Sequence, residues 1–261
     1  MRLNKTFQLA AKVLENTKVK GASWRCVLAA AEITEEALPG QFVHIRFSDS
    51  QEVFLRRPFS IHRVRGKRLE ILYQVLGSGT EIFSKKKPGE HLDLIGPLGN
   101  GFKILTRRLT QHPMIVAGGM GVAPLVFLAG KLTGTPKLVL IGAKTREQIL
   151  CEKEFKELDC NVKIATDDGS QGFKGYVSDL LKRELSAIGH QPSQIYACGP
   201  KQMLKEVAAI SNKYNIPAQI SLEEHMACGI GACLGCVVNT SAGFQRVCKE
   251  GPVFDAKEIA W

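Results

Sequence analysis

The chain has 261 residues, a formal net charge of +10, 44% hydrophobic residues and 23% charged residues. These values are typical of globular proteins, and the length predicts one or two domains with a sizeable core. No apolar run approaches the roughly 20 residues that a membrane-spanning helix needs. The charges within Met1 to Glu15 do not fit a signal peptide. The scattered thiols Cys26, Cys151, Cys160 and Cys198 are typical of a reducing compartment, so we expect a cytoplasmic protein with no membrane partner.

The positive charge is spread through the chain, and short basic clusters occur only at 63–68 and 85–87. Such runs usually lie in solvated loops rather than in a nucleic-acid-binding stripe. We predict no nucleic-acid partner. The excess charge suits phosphorylated cofactors or an acidic protein surface.

From about Thr6 to Gly101 the pattern is that of short strands separated by Gly and Pro. The segment 42–47 alternates apolar with polar residues, and the segment 69–75 does so in part. Pro39-Gly40 and Pro88-Gly89 mark turns. Antiparallel strands at this spacing predict a small β-barrel, which we assign to residues 1–105.

The pattern changes near Gln111, where apolar strands begin to alternate with helices. Strands are predicted over 113–117, 137–142, 161–165 and 194–198, and the helices that follow them over 124–132, 147–158, 177–185 and 201–212. This alternation predicts an α/β region with a doubly wound parallel sheet over residues 106–217. Ligands of such sheets bind at the carboxyl ends of the strands.

The remaining segment, 218–261, carries half of the eight cysteines. Cys228, Cys233 and Cys236 are followed by Cys248 after eleven residues, which is the spacing of a plant-type [2Fe–2S] ligand loop. Small residues between the first three cysteines let the backbone wrap closely around a cluster. Cys233 and Cys236 alone would also suit half of a four-cysteine zinc site, but a second closely spaced pair is missing.

Two segments of the barrel region have the chemistry of a flavin site. In Arg57-Pro58-Phe59-Ser60, the guanidinium can pair with a pyrophosphate and the hydroxyl can reach a planar ring. The turn Gly77-Ser78-Gly79-Thr80 opens a predicted helix and offers N–H groups to a phosphate. The alternative is a hairpin turn whose Ser or Thr caps the helix.

Three segments of the α/β region have the chemistry of a nucleotide site. Gly118-Gly119-Met120-Gly121 joins a buried strand to a helix, as a dinucleotide pyrophosphate requires, although it is not the G-x-G-x-x-G fingerprint and also fits a tight turn without a ligand. Asp167 and Asp168 end the third strand, where carboxylates bind ribose hydroxyls and repel a 2′-phosphate. They also fit a turn capped by its own side chains. Cys198 ends the fourth strand. It fits a position beside a bound nucleotide, and it fits equally well a small buried side chain that only packs in the core.

Four of these segments together resemble the ferredoxin-NADP reductase superfamily: 57–60, 77–80, 96–102 and 198–200. The segments 221–233 and 247–254 narrow the resemblance to the electron transfer subunits of class B dihydroorotate dehydrogenases. The similarity covers essentially the whole chain in the right order. The tail motifs are specific, whereas the other motifs identify only the superfamily.

The resemblance implies three cofactor sites. FAD would bind at Arg57, Pro58, Phe59, Ser60, Leu72, Tyr73, Gln74, Gly79 and Thr80, with Arg57, Gly79 and Thr80 on the pyrophosphate and Ser60 near the flavin ring. NAD would bind at Gly118, Gly119, Gly121, Asp167, Asp168, Cys198, Gly199 and Pro200, and the [2Fe–2S] cluster at Cys228, Cys233, Cys236 and Cys248. Cys198 would face the nicotinamide, where hydride transfer requires proximity and orientation rather than a nucleophile. Relatives often have a basic residue at the position of Gln74, so this chain lacks one positive charge there.

The resemblance also implies a function and a partner. Electrons would pass from the FMN of a dihydroorotate dehydrogenase catalytic subunit through the cluster and FAD to NAD+, in pyrimidine (UMP) biosynthesis and in a heterotetramer with two copies of each chain. No segment has the features of a dihydroorotate site. One alternative is the homologous subunit of a bifurcating transhydrogenase, a sulfide dehydrogenase or a hydrogenase. Another is a non-enzymatic iron–sulfur or zinc module that senses redox state.

Overall fold

The computed structural model describes residues 5–48, 53–104, 112–134, 136–189 and 191–261. The predicted domain boundary at 105/106 and the change of pattern near Gln111 lie outside these ranges. The described residues form two seven-stranded sheets and a two-stranded hairpin. Within the described ranges, no helix combines the length and the apolar character needed to cross a membrane.

The first sheet is antiparallel and forms a half-barrel in the region predicted to be a small β-barrel. Its strands are β1 (Phe7–Lys20), β2 (Ser23–Ala29), β3 (Phe42–Arg46), β4 (Arg57–Ser60), β5 (Arg63–Arg65), β6 (Arg68–Gln74) and β7 (His91–Leu98), with helices α1 (Ala31–Glu36) and α2 (Ser78–Ser84). The order across the sheet is β4-β3-β7-β1-β2-β6-β5. Side chains of β1 alternate between inside and outside, and Ala11 and Val13 are fully buried.

Aromatic side chains fill the barrel beneath α2. The rings of Tyr73 and Phe83 stack with centroids 4.2 Å apart, and Phe47 stacks on the other side of Phe83 at 4.9 Å. Phe59 meets this stack edge-on. This packing fixes β4 and β6, which carry the predicted flavin residues, against the last turn of α2.

The second sheet has six parallel strands and one antiparallel edge strand. Its elements are β8 (Met114–Gly118), α3 (Val122–Lys131), β9 (Lys137–Ala143), α4 (Glu152–Glu157), β10 (Cys160–Thr166), β11 (Phe173–Lys174), α5 (Val177–Ala187), β12 (Ile195–Cys198), α6 (Lys201–Lys213), β13 (Ala218–Ser221) and β16 (Val253–Asp255). Residues of α3 and α4 pack on one face, and residues of α5 and α6 on the other. The doubly wound α/β architecture is thereby confirmed.

One predicted helix differs from the structure. The segment 147–158 contains a single 3₁₀ turn at Arg146–Gln148 and then α4, with a break between them. Ile149 and Leu150 turn into the core at this break, and Cys151 adopts a left-handed conformation with φ 61°. Burial of two adjacent apolar side chains outweighs continuation of the helix.

The cysteine-bearing tail is anchored in the second sheet. β13 pairs in parallel with β12, and β16 pairs antiparallel with β13, so β16 closes the edge of the sheet. Between β13 and β16 lie the cysteine loop and a hairpin of β14 (Val237–Thr240) and β15 (Gly243–Arg246). The segment 218–261 therefore leaves the α/β sheet and returns to it.

Candidate functional site

The hairpin explains the long gap between the third and fourth cysteines. Val237 at the start of β14 lies opposite Arg246 at the end of β15. This pairing brings Cys236 and Cys248 together, and the N–H of Cys248 donates to Cys236 Sγ at 3.4 Å. Both side chains are buried.

The first two cysteines form a second close pair. The N–H groups of Ala232 and Cys233 donate to Cys228 Sγ at 3.3 and 3.4 Å. Gly229 and Gly231, both with positive φ, allow the tight curve that points these donors at the sulfur. Cys228 is half-buried and Cys233 is exposed.

The two pairs differ in electrostatics. Burial acts to raise the pKa of Cys228, but the N–H groups of Cys233, Ile230 and Ala232 lower it to about 6. Burial and the neighbouring Cys236 raise the pKa of Cys248 to about 12. N–H groups aimed at sulfur and four thiols in two pairs fit a two-iron cluster, which needs two thiolates at each iron.

An ion pair stabilises the cysteine loop. The Arg246 guanidinium pairs with the Glu250 carboxylate through Nε and Nη2. Its Nη1 donates to the carbonyl oxygen of Gly231 at 2.6 Å. Arg246 thus ties the cysteine loop to the turn that carries Cys248.

A cleft of about 530 Å³ lies between the half-barrel, the α/β unit and the tail. Its lining includes Arg57, Pro58, Phe59, Ser60, Leu72, Tyr73, Gln74 and Thr80 from the half-barrel, Met120 and Ala123 from the α/β unit, and Glu223, Glu224, His225 and Met226 from the tail. Of the nine predicted flavin residues only Gly79 is not in the lining. The volume and the mixed lining fit a large planar cofactor with a charged tail.

Arg57 lies at the start of β4 with its side chain folded over the preceding backbone. Its Nη1 donates to the carbonyl oxygens of Leu55 and Arg56 at 2.9 and 3.2 Å. Within the described residues the rest of the guanidinium makes no hydrogen bond, so it can bind an anion in the cleft. Ser60 ends the same strand and is half-buried.

The turn before α2 is held by Thr80. Its hydroxyl donates to the Gly77 carbonyl at 2.9 Å and accepts from the N–H groups of Leu76 and Gly77. Gly79 is buried, and a side chain there would approach Val53 and Phe47. The hydroxyl of Thr80 therefore shapes the turn, which leaves backbone N–H groups as the donors available to a phosphate.

The residues of β6 face different environments. Tyr73 points into the barrel core, where its hydroxyl donates to Asn16 Oδ1 at 2.9 Å, and burial raises the pKa of Tyr73 above its usual range. Leu72 is buried against the α/β unit, and Gln74 is exposed. Tyr73 thus shapes the wall of the cleft and is not a hydroxyl donor to it.

The predicted nucleotide glycines lie at the carboxyl ends of β8 and β12. A Cβ on Gly121 would lie 2.2 Å from the Cys198 carbonyl oxygen, and a Cβ on Gly118 would lie 2.5 Å from Met203 Sδ. These two glycines are required for the close approach of the turn to β12. Gly119, with φ 53°, has open space around it.

The 198–200 segment faces a second cavity of about 350 Å³. Gly199 and Pro200 line it together with Glu223 and Trp261. The Cys198 side chain is only 1% exposed, and burial raises its pKa above the usual range, with the nearby Glu223 carboxylate adding to the effect. Cys198 is therefore a packing residue beneath the nucleotide turn.

The two aspartates after β10 have different surroundings. Asp168 Oδ1 accepts from the N–H and hydroxyl of Ser170 at 2.9 and 2.6 Å, and these bonds lower the pKa of Asp168. The Asp168 carboxylate thus caps its own turn. Asp167 is exposed, and its carboxylate makes no hydrogen bond to the described part of the chain. Asp167 is the better placed of the two for a ribose hydroxyl.

The sequence did not single out Glu223 as a site residue. It lies on the wall shared by the flavin cleft and the cavity at Gly199. Desolvation of the carboxyl group by the surrounding protein raises the pKa of Glu223, although part of the side chain is exposed to solvent in the cleft. The available signal was a pair of carboxylates, Glu223 and Glu224, just before the cysteine loop of a basic chain.

His44 was also missed. It lies on β3 beneath the cysteine loop and is fully buried, and neither ring nitrogen has a hydrogen-bond partner among the residues that the structure describes. Burial and the charge of Arg56 lower the pKa of His44 to about 4. A Cβ on Gly229 would lie 2.5 Å from His44 Nδ1, so the loop packs directly on this ring.

Comparisons with known proteins agree with this geometry. Residues 223–260 match a model of the iron–sulfur cluster binding domain of dihydroorotate dehydrogenase B. A relative from Desulforamulus reducens is 41% identical over 259 residues, covering 96% of this chain and 97% of its own, and is named as a dihydroorotate dehydrogenase B (NAD(+)) electron transfer subunit. This chain belongs to that family. Residues 115–209 also match the oxidoreductase NAD-binding domain.

A second family member and two solved structures are also similar to this chain. The Clostridium acetobutylicum subunit of the same name is 41% identical over 250 residues, covering 95% of each chain. A solved NADH-dependent reduced ferredoxin-NADP oxidoreductase, described for flavin-based electron bifurcation, superimposes with a TM-score of 0.86 at 28% identity over 97% of this chain and 90% of that one. Ferredoxin-NADP+ reductase from Plasmodium falciparum shares the fold, with a TM-score of 0.65 at 14% identity, covering 83% of this chain and 96% of that one.

Proposed function

We propose that this chain is the electron transfer subunit of a dihydroorotate dehydrogenase complex that reduces NAD+. Electrons from a catalytic subunit would enter at Cys228, Cys233, Cys236 and Cys248 and leave at the nucleotide site, in the service of pyrimidine biosynthesis. The observation that carries the proposal is the shared cleft. It brings the flavin motif of β4, the nucleotide turn at Met120 and the segment leading into Cys228 to one place.

The residues of the half-barrel fit FAD and would hold it by its pyrophosphate and ring. Arg57 supplies a charge-assisted donor, and Ser60 supplies a hydroxyl at the cleft. Flavin links one-electron carriers to nicotinamide because it exchanges single electrons and also transfers hydride. The chain's part is to orient the two rings and to exclude water from the contact between them.

The tail residues fit a [2Fe–2S] cluster, and we assign one iron to each sulfur pair. Cys228 and Cys233 would hold the outer iron, because Cys233 is exposed and Cys228 is half-buried. Cys236 and Cys248 would hold the inner iron in the buried position beside the hairpin. The exposed pair Cys228 and Cys233 would then face a partner, and the buried pair Cys236 and Cys248 would face the protein interior.

We propose an FMN-containing catalytic subunit as the partner, in an assembly with two copies of each chain. Support comes from the exposed apolar side chains of the tail: Ile230 is 52% exposed, Leu234 is 60% exposed and Phe244 is 80% exposed. Leu234 also has a positive φ of 58°, which is costly for a residue with a branched side chain. An apolar patch on a strained loop is typical of an interface.

We also propose a cytoplasmic location, because none of the eight cysteines, all of which lie in the described ranges, forms a disulfide, which is typical of a reducing compartment. The domain limits 1–105, 106–217 and 218–261 remain our proposal for the three cofactor regions. The parallel pairing of β13 in the third region with β12 in the second supports a third region that depends on the second for its folding.

A bifurcating transhydrogenase subunit is the second candidate, since the solved structure with that chemistry superimposes on 97% of this chain. Purification of the chain with its partners from the native host distinguishes the two candidates. The proposal expects an FMN-containing partner and dihydroorotate-dependent NAD+ reduction. A partner that couples NADH to ferredoxin would contradict it, and a purified chain without flavin would indicate a redox-sensing module.

Replacing Arg57 with alanine is expected to weaken FAD binding about ten- to hundredfold, equivalent to about 1.5–3 kcal/mol, because a charge-assisted contact to the pyrophosphate is lost. FAD affinity is measured by fluorescence titration of the deflavinated protein. Arg68→Ala, which removes an exposed guanidinium at the far end of β6, is the matched control. Equal FAD affinity in both variants would show that the β4 motif does not bind the pyrophosphate.

The wild-type chain is expected to prefer NADH to NADPH in dye reduction, because carboxylates after β10 repel a 2′-phosphate. Changing Asp167 to Arg together with Asp168 to Ser should raise NADPH use relative to NADH. Glu157→Arg, at the end of α4 next to the amino end of β10, also replaces a carboxylate by a guanidinium, but away from the carboxyl ends of the strands, and should leave the ratio unchanged. A wild-type preference for NADPH would contradict the assignment.

A further inference from the structure

A cluster of three metal-ligating side chains lies outside the cleft and the cysteine loop. One atom each of His62, Cys151 and Glu154 lies within 4.8 Å of the other two. His62 is fully buried, and the other two are half-buried. His62 follows β4 of the half-barrel, whereas Cys151 and Glu154 begin α4, so the cluster joins the two units.

The hydrogen bonds of His62 set its tautomer. Its Nδ1 lies 2.8 Å from the carbonyl oxygen of Ala123. A carbonyl can only accept, so Nδ1 carries the proton and the neutral ring leaves a lone pair on Nε2. That Nε2 faces Glu154 Oε1 at 3.5 Å. Two acceptors face each other, and a cation is needed between them, either a second proton on the ring or a metal ion.

We propose that His62, Cys151 and Glu154 bind one divalent transition metal ion of the zinc class between the half-barrel and α4. Imidazole, thiolate and carboxylate are zinc ligands, and three protein ligands leave a fourth position for water. Histidines that bind metal usually donate their other ring N–H to a carbonyl or carboxylate, as His62 does to Ala123. Binding releases the Cys151 thiol proton to solvent, and the two anionic ligands neutralise the ion.

A surface cleft gives access to the site. The cleft has a volume of about 390 Å³, reaches Cys151 and Glu154, and is also lined by five basic side chains, among them Arg25 and Arg63.

The site has a structural role at the break before α4. Cys151 holds a left-handed conformation there, with φ 61°, and a bound ion would fix this residue to the half-barrel. An ion that binds only the folded chain stabilises it in proportion to its occupancy. The inference is independent of the electron transfer function.

Zinc chloride titrated into the full-length chain, loaded with FAD and cluster, tests the site by calorimetry and thermal unfolding. One zinc ion per chain and a rise in Tm are expected. Glu154→Gln and Cys151→Ser should each weaken zinc binding by at least about tenfold. Cys160→Ser removes another buried thiol of the same unit and should bind zinc as the wild type does.

Iron and acid-labile sulfide are measured in the same samples, so that zinc bound by the tail cysteines is recognised by loss of iron. Equal zinc affinity in the wild type and in Glu154→Gln, with iron retained, would overturn the proposal. So would the absence of stoichiometric zinc binding. The pair would then be a protonated His62 bound to Glu154. Glu154 is half-buried rather than fully buried, so the Glu154→Gln variant should fold and can be compared with the wild type.

Discussion

Replacing Cys236 with serine is expected to remove the iron–sulfur cluster while leaving FAD bound. Cys236 is buried beside Cys248 at the base of the hairpin, and a hydroxyl is a much poorer iron ligand than a thiolate. The flavin residues lie on β4, β6 and the turn before α2, in a different sheet. Iron, acid-labile sulfide and flavin are measured per chain after anaerobic purification.

Cys160→Ser is the matched control for the cluster experiment. It replaces another buried thiol, one that lies in the α/β unit and contacts the Leu158 carbonyl at 3.6 Å. This variant should retain iron, sulfide and FAD. Stoichiometric zinc without sulfide in the wild-type chain would contradict the cluster assignment and support the alternative of a four-cysteine zinc site.

Replacing Leu234 with glutamate is expected to abolish dihydroorotate-dependent NAD+ reduction and to keep NADH-driven dye reduction at FAD. Leu234 is 60% exposed beside the cluster ligands. A charge buried at the centre of an interface costs about 2 kcal/mol or more, equivalent to roughly 30-fold weaker association. Affinity for the catalytic subunit and both activities are measured on the same preparation.

Val19→Glu gives the comparison for the interface experiment. Val19 is a 51% exposed apolar residue near the end of β1, so the same charge is added at a remote surface. That variant should behave as the wild type in both assays. If Leu234→Glu also retains full dihydroorotate-dependent activity, the partner does not dock on the tail. Dihydroorotate oxidation by the isolated chain would overturn the division of roles between subunits.

The four cluster positions could be predicted from the sequence because ligand spacing is a local property. Their pairing could not, since it depends on the register of β14 with β15, which places Val237 opposite Arg246. The two sheets were predictable because strand alternation and strand–helix alternation have different periods. The break at Cys151 could not be predicted, because the sequence pattern of 147–158 is helical. Ile149 and Leu150 depart from the helix because their side chains are buried in the core, which the local pattern does not show.

The residue types at the nucleotide site could be predicted from the sequence, but the structural role of each residue could not. Asp167 and Asp168 are equivalent in sequence, and only the hydrogen bonds to Ser170 separate a turn cap from an available carboxylate. Gly121 fits a phosphate-binding turn, yet its contact with Cys198 shows that close packing alone requires a glycine there. Glu223 acquires its position from the return of the chain after β13, which no local pattern contains.

The tail, residues 218–261, connects the α/β unit to the half-barrel. Both of its ends are fixed in the α/β sheet by β13 and β16. Between these ends, Gly229 packs on the ring of His44 in the half-barrel. The backbone N–H of Asn100 donates a hydrogen bond to the carbonyl oxygen of Gly251 at 2.6 Å. A hinge opening of the two units would have to break both attachments at once. FAD and the cluster held in such a frame would keep a constant separation.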